Sequence, residues 1–264
     1  MRIYFRELKA NIKSLLIYCG ITLFFLTVGF GKFQGYADNP ELLEVLNGLP
    51  DAMLDAFSMN AFNLTTVEGF FGVMFVFIGL ILSIAAVMWG SDIIAKEERD
   101  KTVEFALTLP VRRSTLIAAK SAVVVTNSII LALFTWALSL ANTAKYDPEP
   151  EFFEFVALGM LAIFIMQLIF MAVGILLGAA IKNHKRSGSI AISILLATYF
   201  ISILTELNED FGKLKYFTPF KYFDPALLLH ESKIEPVYLW LSLGIVVVSM
   251  VGAFLAYSRR DLYI

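Results

Sequence analysis

Asp92–Arg113, DIIAKEERDKTVEFALTLPVRR, is a charge-dense stretch between two long runs that hold no Asp, Glu, Lys or Arg. The run before it, Gly69–Ser91, has 23 residues and the run after it, Ser121–Ala144, has 24. A helix that crosses a bilayer needs about 20 apolar residues. Both runs are long enough to cross, and the stretch between them is too charged to enter. Inside it, Glu97 lies four residues and Glu98 three residues before Lys101, the spacings that set opposite charges side by side on a helix. Ile94, Ala95, Val103, Ala106 and Leu107 supply apolar surface, and Pro110 interrupts the helix because it has no amide hydrogen to give. The stretch reads as a helical elbow that protrudes from a membrane between two spans.

Working outward, four more charge-free runs appear: Ser14–Gly31, Phe155–Ile181, Ser187–Thr205 and Pro236–Ser258, of 18, 27, 19 and 23 residues. The expectation is an all-α integral membrane protein with six transmembrane helices, spanning 14–33, 69–91, 116–144, 153–181, 187–206 and 236–258, in one domain covering 1–264. Composition agrees: 58% hydrophobic and 17% charged residues and a mean hydropathy of +0.75, where a soluble domain carries about 25% charge. Cys19 is the single cysteine, so no intrachain disulfide is available.

Six spans put both termini on one side, and charge decides which. With the N-terminus inside, the inner segments hold Arg2, Arg6, Lys9, Lys13, Lys96, Arg99, Lys101, Arg112, Arg113, Lys120, Lys182, Lys185, Arg186, Arg259 and Arg260, 15 of the 21 basic residues. The outer loops hold the other six and 16 of the 23 acids. The positive-inside rule then places both termini in the cytoplasm.

Residues 1–13 read as an amphipathic interfacial helix. Met1, Phe5, Leu8 and Ile12 form one stripe, and Arg2, Arg6, Lys9 and Lys13 the adjacent one, suited to lying among anionic headgroups. In the first outer loop, Leu42, Leu43 and Leu46, then Met53, Leu54 and Phe57, have helical spacing, divided by Gly48-Leu49-Pro50-Asp51; two short amphipathic helices are expected. Polar residues inside spans usually bridge helices. Asn127, Thr135 and Gln167 are the candidates for lining a pathway instead. Gly174-x-x-x-Gly178 permits close helix approach, and Lys182, His184, Lys185 and Arg186 form a second, smaller cytoplasmic contact point.

Several chemistries are missing. There is no GxxxxGK[ST] phosphate loop, and His184 and His230, the two histidines, fall on opposite sides of the membrane, so no catalytic or metal site is expected. No ionisable side chain lies well inside a span, which argues against a self-sufficient ion-coupled carrier. Energy for any pumping must come from another chain.

The run Lys96-Glu97-Glu98-Arg99-Asp100-Lys101-Thr102-Val103-Glu104-Phe105-Ala106-Leu107, then Leu109-Pro110-Val111-Arg112-Arg113, together with Thr218-Pro219-Phe220 and Tyr222-Phe223 before the last span, resembles the permease subunits of type-2 ABC exporters. The resemblance covers nearly the whole chain; one departure is Lys101 at a position where that family usually has glycine. It implies that 92–113 is a coupling elbow received by a separate cytosolic ABC ATPase, with Ile94, Lys96, Glu97, Glu98, Arg99, Lys101, Thr102, Glu104, Leu107, Pro110, Arg112 and Arg113 as coupling residues. It also implies a second permease copy or paralogue. ATP and Mg would be held by the ATPase and no cofactor by this chain. Nucleic acid is not an expected partner. The expected place is the plasma membrane, in a bacterium, in contact with lipid, and the expected cargo is amphipathic or hydrophobic: a peptide, antibiotic or lipid-like molecule. Two other readings stay open, a non-transporting scaffold or sensor that recruits a cytosolic partner through the same elbow, and an ion-coupled carrier.

Overall fold

A computed structural model of the chain describes residues 2–37, 62–99, 112–181, 183–207 and 209–259, with the single residues 39, 48, 50 and 54. Seven α-helices lie among them: α1 Arg2–Phe33, α2 Val67–Arg99, α3 Arg113–Thr143, α4 Pro150–Ala180, α5 His184–Leu207, α6 Pro225–Glu231 and α7 Pro236–Ser258. All but the short α6 are long and apolar enough to cross a membrane. The chain is an all-α membrane protein. Three helices begin on a proline, Pro150, Pro225 and Pro236, where a fixed φ helps and a missing amide hydrogen costs nothing. Before α6, the Asp224 carboxylate also accepts the Ala226 amide at 2.8 Å.

The N-terminal segment differs from a separate interfacial helix. Residues 2–33 form one unbroken helix of 32 residues, because no proline or glycine occurs before Gly20. At about 1.5 Å per residue it is about 48 Å long, well beyond the ~30 Å hydrocarbon core. The outer loop that would hold two short amphipathic helices lies, apart from a few residues, outside the described residues.

α2 and α4 form the centre of the bundle. α1 packs on α3 and α2, α5 on α2, and α7 on α4. The central pair is close because glycine replaces side chain at the crossing. A Cβ on Gly90 would stand 2.5 Å from the Met171 carbonyl oxygen; one on Gly178 would stand 2.6 Å from that of Ser91, and one on Gly174 would strike that of Val87. The Gly174-x-x-x-Gly178 pair therefore lets two backbones touch, as such pairs do in membranes.

One end of the bundle is aromatic. Phe30, Phe33, Phe70, Phe71, Phe152 and Phe155 are buried there, with Phe33 edge-on to Tyr146 at 4.8 Å and Phe71 edge-on to Phe152 and Phe155 at 5.5 and 5.7 Å. The Tyr146 hydroxyl donates to the Phe30 carbonyl at 3.0 Å. Beside this end the segment before α7 turns inward: Thr218, Pro219, Tyr222 and Phe223 are buried, and Phe220 packs between Phe170 and Tyr199 at 5.4 and 5.3 Å. The Thr218 hydroxyl donates to the Thr198 carbonyl at 2.7 Å, and Lys221 pairs with Glu206.

Candidate functional site: the base of the elbow

The opposite end collects the N-terminus of α1, the C-terminus of α2, the N-terminus of α3 and the C-terminus of α7. Charged and polar side chains tie these four together. Lys96, three residues before α2 ends, pairs with Glu7 of α1, which also accepts a hydrogen bond from Arg6 at 3.1 Å. The Lys120 ammonium of α3 reaches back to α2 and donates to the Ile93 carbonyl at 2.7 Å. Arg113, the first residue of α3, donates to the Tyr257 and Ser258 carbonyls at the end of α7, both at 3.3 Å.

The inner face of α1 explains how a carboxylate came to be inside. Tyr4, Glu7, Asn11 and Ser14 repeat at three- and four-residue steps, so they share one face. The Tyr4 hydroxyl lies 2.8 Å from that of Thr126 in α3. Ser14 accepts the Trp89 indole hydrogen at 2.8 Å, and Tyr18 stands edge-on to the same indole at 5.3 Å. Phe5, Ile12, Leu16 and Ile17 point away from the bundle. The first four turns of α1 thus put a polar face towards the protein. Glu7 is 3% exposed and Lys120 is 1% exposed. A buried charge is tolerated only with a partner of opposite charge or a good hydrogen bond, and here each has one.

The candidates from the sequence fall into three groups. Lys96 lies in the last turn of α2, Arg112 precedes α3 and is exposed, and Arg113 is the first residue of α3. Ile94 is not a surface residue: it is 3% exposed and packs against α4 beside Gly178. The side chains of Glu97, Glu98 and Arg99, and all of Lys101, Thr102, Glu104, Leu107 and Pro110, lie outside the described residues; only the helical backbone to Arg99 is described. At the smaller contact point Arg186 is exposed, while the side chains of Lys182, His184 and Lys185 lie outside the described residues.

The polar span residues are inside the bundle. Asn127, Thr135 and Gln167 are 1%, 0% and 0% exposed. Thr135 donates to the Leu131 carbonyl of its own helix at 2.7 Å, and the Gln167 amide reaches the Leu82 carbonyl of α2 at 3.5 Å. The Asn127 amide has no partner among the described residues. None of the three lies on an outer face where a second permease could meet it. Glu7 and Lys120 were the residues that sequence reasoning passed over. Lys120 counts among the basic residues of the inner segments, and it is buried at that end of the bundle rather than solvated. The signal for Glu7 was the polar repeat at 4, 7, 11 and 14.

The chain matches the family described as ABC-2 family transporter protein over residues 1–262. No curated protein matches it.

Proposed function

Since the chain belongs to the ABC-2 family of transporter proteins, we propose that this permease is one half of an ATP-driven exporter whose power stroke enters through residues 92–113. A separate cytosolic ABC ATPase, holding ATP and Mg, receives the elbow. A second permease copy or a paralogue completes the pathway. Glu97, Glu98, Arg99, Thr102 and Glu104 meet the ATPase, and Arg186 with its neighbours Lys182, His184 and Lys185 forms a lesser contact. The cargo is amphipathic or hydrophobic, and it leaves the cytoplasm of a bacterial cell across the plasma membrane.

The observation that best supports this reading is the anchoring of both ends of the elbow. Lys96 near its start is held by Glu7, and Arg113 at its end by the α7 carbonyls. A segment fixed at both ends to packed helices passes a push on to those helices, whereas a slack loop would absorb it. Force on the elbow would move α2 and α3, and through them α1 and α7.

The test co-expresses this chain with a candidate ABC ATPase and purifies the pair in detergent or nanodiscs. The wild-type pair should co-purify and hydrolyse ATP. The double reversal Glu98→Arg with Arg99→Glu should lower co-purification or ATP turnover at least tenfold while the permease stays monodisperse. Unchanged assembly and turnover in that variant would reject the elbow as the ATPase contact.

A further inference from the structure

Glu7 is one carboxylate set among two inward lysines. Lys96 of α2 holds it in this structure. Lys120 of α3 rests on the Ile93 carbonyl at 2.7 Å, one helical turn before Lys96 on α2. The side chains of Glu7 and Lys96 are 3% and 14% exposed, and Lys120 is 1% exposed. Arg6 also touches Glu7, but from the surface, with a side chain 57% exposed. Two cations, half-buried Lys96 and buried Lys120, thus meet on adjacent turns of α2, and the buried anion Glu7 pairs with one of them.

We propose that Glu7, Lys96 and Lys120 form a two-position latch. In the first position Glu7 pairs with Lys96 and Lys120 caps the Ile93 carbonyl. In the second, Glu7 pairs with Lys120, and Lys96 is released to move with the elbow. The proposal rests on the reading that the elbow moves; its substance is how α1 stays docked while that happens. A buried carboxylate stripped of its cation is strongly unfavourable, so any shift of Lys96 requires a replacement within reach. Lys120 fits that role because α3 is joined to α1 independently, through Tyr4 and Thr126. The Ile93 carbonyl can also spare it. The Ile93 carbonyl is part of the α2 helix ladder, so losing Lys120 leaves it with its usual helical partner. Two discrete pairings of packed groups, rather than a gradual stretch, are what turn a small push into a switch.

The latch is tested first on the chain alone, in nanodiscs, by hydrogen–deuterium exchange over residues 3–15. Lys96→Met should leave α1 protected within about twofold of wild type, since Lys120 takes the carboxylate. Lys120→Met should do the same, since Lys96 keeps it. Glu7→Gln, and Lys96→Met with Lys120→Met together, should each exchange at least tenfold faster. Loss of protection in Lys96→Met alone would overturn the second position, and full protection in the double variant would overturn the cluster as the anchor of α1. A second arm measures ATP turnover of the assembled complex. Lys120→Met should bind the ATPase as wild type does but turn over several-fold more slowly, with Lys120→Arg restoring the rate. Wild-type turnover in Lys120→Met would overturn the handover. If the wild-type chain binds no ATPase, the functional reading fails while the exchange experiment still decides the latch.

Discussion

Tyr222 shows what burial of one side chain does at the far end of the bundle from the elbow. It is 3% exposed, stacks on Tyr238 at 5.1 Å, and donates its hydroxyl to the Tyr216 carbonyl at 2.6 Å. Burial pushes its ionisation above the usual tyrosine value of 10.0, and Tyr238 beside it adds to the rise. The folded protein therefore keeps the Tyr222 proton after the unfolded chain has released it. Stability from this group is complete below pH 10 and falls as pH rises through and beyond that value. Tyr222→Phe should cost about 1 kcal/mol at neutral pH, the typical net worth of a hydrogen bond. The wild-type advantage should then shrink in thermal unfolding scans between pH 9 and 11. A gap that stays constant across that range would show that the hydroxyl does not titrate against folding. A buried hydroxyl of this kind could not be read from the sequence, because an aromatic-proline segment before a span looks the same whether it lies on the surface as a belt or folds into the bundle. Glu7 was more legible than it was read. The polar repeat Tyr4, Glu7, Asn11, Ser14 was visible, but the neighbouring cationic and apolar stripes matched a headgroup-lying helix and drew the reading to themselves. Lys120 gave no such signal. A lysine next to a charge-free run is usually a solvated anchor, and only its hydrogen bond to Ile93 from across the helix pair reveals the exception.

Between elements, the crossing of α2 and α4 has little room to adjust. Gly90, Gly174 and Gly178 each bring backbone against backbone, so an added side chain meets atoms that cannot rotate away. Gly178→Leu should lower stability by about 1–3 kcal/mol, the usual cost of overpacking. Gly244 of α7 is the matched control, since a Cβ there has nothing within 4 Å. Gly244→Ala should be neutral or gain up to about 1 kcal/mol, because alanine suits a helix better than glycine. Thermal unfolding of the two variants side by side checks both, and equal behaviour would mean that the α2–α4 crossing is looser than this geometry. The helices themselves were readable from run length because a bilayer demands an uninterrupted apolar stretch and internal backbone bonding. The Gly174-x-x-x-Gly178 pattern named a possible contact but not its partner, since which helix approaches depends on the packing of the whole bundle. The same limit hid the continuity of α1. A charge pattern shows where headgroups begin, yet it carries no information on whether the helix bends there, and with no proline or early glycine it runs straight through.

For the molecule as a whole, topology rests on two independent arguments that should agree. Charge asymmetry puts 15 of 21 basic residues, and both termini, on one side. The structure gathers the described residues of the same segments at one end of the bundle through Glu7–Lys96, Lys120–Ile93 and Arg113–Ser258, with Tyr146 and Phe152 at the other. Single cysteines in a Cys19→Ser background can test that agreement in sealed right-side-out vesicles with a membrane-impermeant maleimide. Lys9→Cys, Arg112→Cys and Arg186→Cys replace exposed residues at the terminal end, and Lys145→Cys and Lys213→Cys replace exposed residues of the outer segments. The second set should label in intact vesicles and the first only after permeabilisation. Lys120→Cys makes the demanding case. A cytosolic anchor would label like Arg112→Cys once the membrane is opened, whereas a residue 1% exposed inside the bundle should stay unlabelled until the protein is denatured, at least tenfold slower than its neighbours. Labelling of the first set from outside would invert the chain in the membrane. That would put the elbow out of reach of a cytosolic ATPase, so the same experiment that fixes the orientation also decides whether energy can enter where the sequence places it.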